Sequence, residues 1–381
     1  MKRMRTTALI IVTVLSAGCA RIGLDRIDTE DGCPCLDGDV DTAIHDADPE
    51  EEAGDEDADV EGTSDADDPG DADSPSRRTW ALTMPETTPP PLWAPVLAYE
   101  ESASRVILYG GTDSGLASAA MWAYDGTSWS RLCDPCTPGA RVGHRMVYDA
   151  ARARMVLYGG ADAGGSLLAD VWEWDGSAWD LVPVNGDDPG QRRDHGMAYD
   201  PLERRILVFG GETPTVDATD DLYYFDGLTW SLVETSGGPS PRSDETNFLA
   251  FDDGGGALLV VGGHDADSEI LNDLWTWDGT RWTEVCSTCF GTPAHDRAVV
   301  WDTSRHRLVS ACGWTGSSEI TGTFELDGNN FIVVDAYMPP ARDSCGIAFD
   351  SSRNAIVLYG GNGSSCTASN GDCQDTFEYQ L

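Results

Sequence analysis

An all-β fold, a six-bladed β-propeller, is what this 381-residue sequence predicts, and three observations predict it. A unit of about fifty residues recurs six times between residues 79 and 381. Each unit reads as four short strands, rich in β-branched and aromatic residues and separated by Gly- and Asp-containing turns. The ends are complementary, because a fragment ahead of the first unit reads like the strand that the last unit lacks. Four strands cannot bury both faces of their own sheet, so the units stack around an axis with side chains filling the gaps.

Taken in chain order, the first strand of each unit ends in an aromatic and an acid. The doublets are Tyr99-Glu100, Tyr148-Asp149, Tyr199-Asp200, Phe251-Asp252, Trp301-Asp302 and Phe349-Asp350. The second strand is an apolar run at 106–109, 155–158, 206–209, 258–261, 308–311 and 356–359. It closes on a glycine pair: Gly110-Gly111, Gly159-Gly160, Gly210-Gly211, Gly262-Gly263 and Gly360-Gly361, with Cys312-Gly313 in the fifth unit. Steps between second glycines are 49, 51, 52, 50 and 48 residues. After a loop, a third strand carries an aromatic (Trp122, Trp172, Tyr223, Trp275, Phe324) and runs into Asp-Gly. The fourth starts on Trp129, Trp179, Trp230, Trp282 or Phe331. The sixth unit stops at Leu381 after its third strand. Thr79-Trp80-Ala81-Leu82-Thr83 matches Thr229-Trp230-Ser231-Leu232-Val233, so residues 79–83 are expected to supply the outermost strand of blade six.

The glycine pair, the aromatic after it and the later tryptophan resemble the kelch repeat over about residues 79–381. Cys312 and Leu326 depart from the pattern in the fifth copy. The resemblance implies a single propeller domain. It implies that the Arg and His recurring before the first strand hydrogen-bond backbone and brace adjacent blades. It also admits two roles, since kelch proteins include binding modules as well as a sialic-acid epimerase and copper oxidases.

The N-terminus reads as an address. Lys2, Arg3 and Arg5 precede an apolar run at 8–15, too short to span a membrane. Leu15-Ser16-Ala17-Gly18-Cys19 resembles a bacterial lipobox. That resemblance implies a signal peptide at 1–18, lipidation at Cys19 and, with Ala20 following, the outer membrane; periplasmic and cell-surface sides stay open. An ordinary cleaved signal is the other reading. Residues 19–76 follow as an acidic, disordered tether, holding 22 of the chain's acids between residues 25 and 76 against Arg26 alone. Within it, Asp37, Asp39, Asp41 and Asp48 have partial calcium-loop spacing. Thr42 stands where glycine is needed, and a cation site is not expected. The domains are thus a leader at 1–18, a tether at 19–76 and a propeller at 77–381.

Composition excludes several functions. With 66 acidic against 24 basic residues, the net charge is −42, which argues against nucleic acid or an anionic membrane. Lys2 is the only lysine, so a P-loop nucleotide site and a lysine Schiff base are excluded. Of the 11 cysteines, lipidation of Cys19 leaves ten, for which export makes disulfides the default. Cys133/Cys136 and Cys286/Cys289 have paired-knuckle zinc spacing but fall in opposite blades, so each is read as a local disulfide. Cys366/Cys373 would staple a loop of blade six, and Cys312/Cys345 would bridge adjacent blades. Cys33 and Cys35 receive no assignment.

Candidate site residues gather before the first strand, on the face shared with the longer loops after the glycine pairs. Arg141, Arg192, Arg242 and Arg342 recur there, with His144 and His195 three residues after their arginines, and with His264 and His295 on the same face. As a ring at the channel mouth, these would grip an acidic peptide or a sugar. Four imidazoles with Glu245 and Asp343 nearby could suit a transition metal, but spacings of roughly 10 Å or more around a ring stand against it. No catalytic set, metal site or cofactor is expected. The function expected is a lipid-anchored, monomeric envelope protein binding an unknown protein or glycan, touching the membrane only through its anchor. The alternative is a carbohydrate-active enzyme, a sugar epimerase or oxidase.

Overall fold

A computed structural model describes residues 79–335, 339–366 and 371–381. The expected leader, Cys19, Cys33, Cys35 and the acidic segment lie outside the described residues. Those described build six blades: five are four-stranded antiparallel sheets, and the third is a four-stranded antiparallel sheet that Asn185–Gly186 extends with a parallel fifth strand. In blade one the strands, from axis to rim, are Val96–Glu100, Arg105–Tyr109, Met121–Tyr124 and Trp129–Cys133. The other innermost strands are Arg145–Asp149, Gly196–Asp200, Leu249–Asp252, Ala298–Asp302 and Gly346–Asp350. Each packs against the innermost strands on either side, and the sixth packs against the first, so the ring is closed. The one helical segment among the described residues is the turn Glu101–Ala103.

Closure follows the expected route. Trp80–Thr83 pairs antiparallel with Thr376–Gln380 and completes the sixth sheet from the other end of the chain. Side-chain chemistry confirms the equivalence. Trp129 Nε1 donates to Thr376 Oγ1 at 2.9 Å across the gap between blades one and six, and Trp80 Nε1 donates to Thr323 Oγ1 across the next gap. Both acceptors open a third strand.

Aromatic packing holds the blades side by side. The outer-strand tryptophans lie against the last residue of the preceding blade's second strand: Trp129 on Tyr359 at 5.3 Å, Trp179 on Tyr109 at 5.7 Å, Trp230 on Tyr158 at 5.0 Å and Trp282 on Phe209 at 5.4 Å between ring centroids. Each such burial contributes up to about 4–6 kcal/mol of transfer free energy.

The glycine pair has a steric cause. Gly110 and Gly111 have φ of +69° and +85°. A Cβ on Gly110 would lie 2.5 Å from the His144 ring of the next blade, and one on Gly111 would lie 2.9 Å from the Trp93 carbonyl oxygen. In blade five, Cys312 takes the first glycine's place at φ 63°, and in blade six Cys345 takes the place of that histidine. The two are disulfide-bonded, with Cα atoms 6.3 Å apart, so a covalent link replaces the glycine–histidine contact. Cys133–Cys136, Cys286–Cys289 and Cys366–Cys373 are also bonded, at Cα separations of 5.3, 5.6 and 4.8 Å.

Candidate functional site

The upper face is the one on which the innermost strands begin. There, each blade pairs its lead-in segment with the residue after its glycine pair. The pairs are Trp93 with Thr112, Val142 with Ala161, Arg193 with Glu212, Ser243 with His264, His295 with Trp314, and Asp343 with Asn362. One residue later, the chain turns through a left-handed conformation at Ala94, Gly143, Asp194, Asp296 and Ser344. Blade four instead carries two extra residues between Arg242 and its inner strand, and Glu245 sits in this insertion.

The arginines do not ring this mouth. Arg141, Arg192, Arg242 and Arg342 are at most 1 % exposed. Each turns back into its own blade and grips the aspartate at the start of the third strand with two nitrogens. Arg141 meets Asp170 at 2.9 and 3.0 Å, and Arg192 meets Asp221 at 3.0 and 3.1 Å. Arg242 and Arg342 hold Asp273 and Asp375 in the same way. Each also donates to the first glycine's carbonyl: Gly159, Gly210, Gly262 or Gly360. A forked, charge-assisted pair walled in by backbone carbonyls keeps these guanidiniums buried, out of a ligand's reach. The expectation of a cationic grip is corrected: these arginines brace their own blades.

His144 and His195 are corrected too. Both are fully buried, edge-on to Tyr109 and Tyr158 of the preceding blade at 5.4 and 5.1 Å. Burial, with Arg141 and Arg145 near His144 and with Arg145 and Arg192 near His195, holds both imidazoles well below their usual range. They are neutral packing groups between blades. His264 and His295 do come together, ring centroids 5.7 Å apart, and His295 Nδ1 lies 2.7 Å from Asp296 Oδ2. The four histidines therefore do not converge. Among the described residues, the trio close enough to share a metal is Asp252, Asp253 and His306 on the lower face. Its Asp253 Oδ1 already accepts from Trp301 Nε1 at 2.7 Å.

What occupies the upper mouth is acid. A funnel of about 760 Å³ is lined by Glu245, Asp296, Glu319, Asp343 and Asp372, with the indoles of Trp93 and Trp314, and by no arginine or histidine. Burial and then its acidic neighbours Asp296, Asp194, Asp244 and Asp343 push the Glu245 carboxyl up to about 9. Burial and the Asp244 carboxylate raise Asp296, burial raises Asp343, and burial raises Asp194 to about 6. Beneath the funnel, Arg145 of blade two reaches to blade four and donates to the carbonyls of Asp244 at 2.5 Å and Thr246 at 2.7 Å.

Residues 171–330 match the family described as the KLHDC2/KLHL20/DRC7 Kelch-repeats domain. The chain is a kelch-repeat β-propeller. It is 33 % identical over 90 residues to dynein regulatory complex subunit 7 of Chlamydomonas reinhardtii, covering 23 % of this chain and 7 % of that protein. It is 39 % identical over 105 residues to tRNA wybutosine-synthesizing protein 2/3/4 of Oryza sativa subsp. japonica, covering 26 % and 10 %. With Adagio-like protein 3 of the same plant the identity is 26 % over 189 residues, covering 45 % and 30 %. This chain therefore spans at most 30 % of the length of these relatives. A kelch propeller of this build fits a protein-binding module.

The kelch ring has a second opening below. A cavity of about 430 Å³ is walled by all six innermost strands and ringed by Tyr99, Tyr148, Tyr199, Phe251, Trp301 and Phe349. Tyr148 Oη accepts from Ser102 N at 3.2 Å and Tyr199 Oη from Ala151 N at 3.1 Å, each joining a blade to its neighbour. The aromatic–acid doublets mark this ring in the sequence. The acidic funnel is written less plainly: Asp194, Asp244 and Asp296 follow their lead-in segments at corresponding positions, while Glu319 and Asp372 pair with Trp314 and Asn362 from loops of unequal length without a common sequence pattern.

Proposed function

We propose that this chain is an exported, lipid-anchored protein of a bacterial envelope, whose propeller binds a partner protein through its upper face without catalysing a reaction. One observation carries the choice of face. The buried braces repeat from blade to blade, whereas the rim residues between them do not: Trp93, Val142, Arg193, Ser243, His295 and Asp343 hold one register position. A scaffold repeats, and a surface shaped for one partner does not. The basic leader, the lipobox-like 15–19 and four disulfides support export. Residues 19–76 then serve as an acidic tether.

Photo-crosslinking side chains at Thr112 and Asn362 on the upper rim, and at Thr127 on the lower face, test this in the full-length protein. The same partner should be captured from the two upper positions and not from Thr127. Capture from Thr127 alone would contradict it. For the anchor, Cys19→Ala should release the chain from the membrane fraction, and unchanged fractionation would remove lipidation from the reading. The aromatic lower cavity favours a second reading, a sugar stacked on its rings. Turnover of a sugar by the full chain would replace the binding module with a carbohydrate-active enzyme.

A further inference from the structure

We infer that the upper funnel receives a cationic side chain, the guanidinium or ammonium group of an arginine- or lysine-bearing segment of the partner protein. This rests on the reading of the upper face as a protein-binding surface and supplies the chemistry of what it binds.

Five carboxyl side chains from blades four, five and six line one concave space, with no cation among the lining residues. Nearby arginines are not among the lining residues, and each has contacts elsewhere. Arg145 donates to backbone carbonyls, Arg193 is paired with Glu212 at 2.5 Å, and Arg297 donates to Thr292 O and stacks on Phe290 with 4.2 Å to the centroid. Within the funnel wall, Asp296 is only 6 % exposed. Its Oδ2 faces His295, but its Oδ1 has no hydrogen-bond partner. A buried carboxyl oxygen without a hydrogen-bond partner is unfavourable unless one arrives.

The shape selects among cations. Funnel carboxylates do not converge on one point as the ligands of a bare metal ion must; the described trio that comes close enough lies on the opposite face. About 760 Å³ holds a side chain with several donors, and Trp93 and Trp314, of a residue type that holds guanidinium and ammonium groups, are among its lining residues. Excess negative charge on the chain would attract such a segment from a distance.

The test uses the full-length protein and isothermal titration at low salt. The probes are an arginine-containing hexapeptide, its citrulline counterpart, spermine, and calcium or magnesium ions. The arginine peptide should bind, and citrulline, equal in shape but uncharged, should bind at least tenfold more weakly. Asp343→Asn with Glu319→Gln should weaken the arginine peptide tenfold or more without lowering the melting temperature. Asp180→Asn, on an exposed outer strand, should leave binding unchanged. Equal binding of the citrulline peptide, or full binding by the double variant, overturns the inference. Binding of spermine or divalent ions at these residues, with the arginine peptide excluded, overturns it in favour of a small-cation site. If no cationic probe binds while the partner still crosslinks from Thr112 and Asn362, the inference fails and the upper-face reading stands.

Discussion

At the level of single residues, the same charge type does opposite work on the two sides of the lead-in segments. Arg192 is 1 % exposed and holds two oxygens of Asp221, the Gly210 carbonyl and the Pro189 carbonyl at once. A lysine cannot reproduce this fork, so Arg192→Lys should cost about 2–3 kcal/mol in urea denaturation. Loss below about 0.5 kcal/mol would deny the brace its role. Glu245 is the reverse case, an acid held where its charge is unwelcome. Its carboxyl, raised to about 9, keeps its proton in the folded chain, while an unfolded chain loses it above about 4.5. The folded state then binds more protons, so the Glu245 contribution declines as pH rises from about 4.5 towards 9. The groups facing it, Asp194, Asp244, Asp296 and Asp343, act in the same direction, and Arg145 opposes them. Glu245→Gln should raise the melting temperature at pH 8, with the gain shrinking towards pH 4. A gain that grows on acidification would contradict this sign.

At the level of elements, strands and their order are legible because each serves a repeated packing need. The glycine pair marks where neighbouring blades meet too closely for a Cβ, and Trp80 reveals the closing strand because it fills the slot that Trp129 fills one blade on. The recurring Arg and His are legible as positions but not as directions. Whether a guanidinium faces a mouth or its own blade depends on Asp221 or Asp273, some thirty residues away. The Cys312–Cys345 bond shows how such a contact is rewritten. It spans 33 residues between two blades, and closing a loop of that size contributes about 3–4 kcal/mol. Cys312→Gly with Cys345→His restores the pairing seen between Gly110 and His144. This double variant should melt higher than Cys312→Ala with Cys345→Ala when both are measured under reducing conditions. Equal melting would mean that glycine and histidine are not a coupled pair.

Across the whole molecule, the net charge of −42 has a local expression that composition alone conceals. A ring of arginines at the mouth would invite an acidic ligand, but burying them against aspartates leaves the funnel of the upper face to Glu245, Asp296, Glu319, Asp343 and Asp372. The partner preference proposed for this face is thereby reversed in sign. It was not legible beforehand because most of these residues hold positions that carry no acid in the other blades, and the stacking of blades four, five and six brings them to one mouth. Binding at this face should weaken steeply between 50 and 300 mM salt, as expected for exposed charge complementarity. A repeating scaffold carrying a non-repeating recognition rim makes one demand above others. In the full-length protein, Trp93→Ala, Trp314→Ala, Glu319→Gln and Asp343→Asn combined should abolish crosslinking to the partner from Asn362 while the chain melts within about 3 °C of the unaltered protein, a shift of about 1 kcal/mol. Undiminished crosslinking by this correctly folded variant would contradict the assignment of the upper rim as the recognition surface.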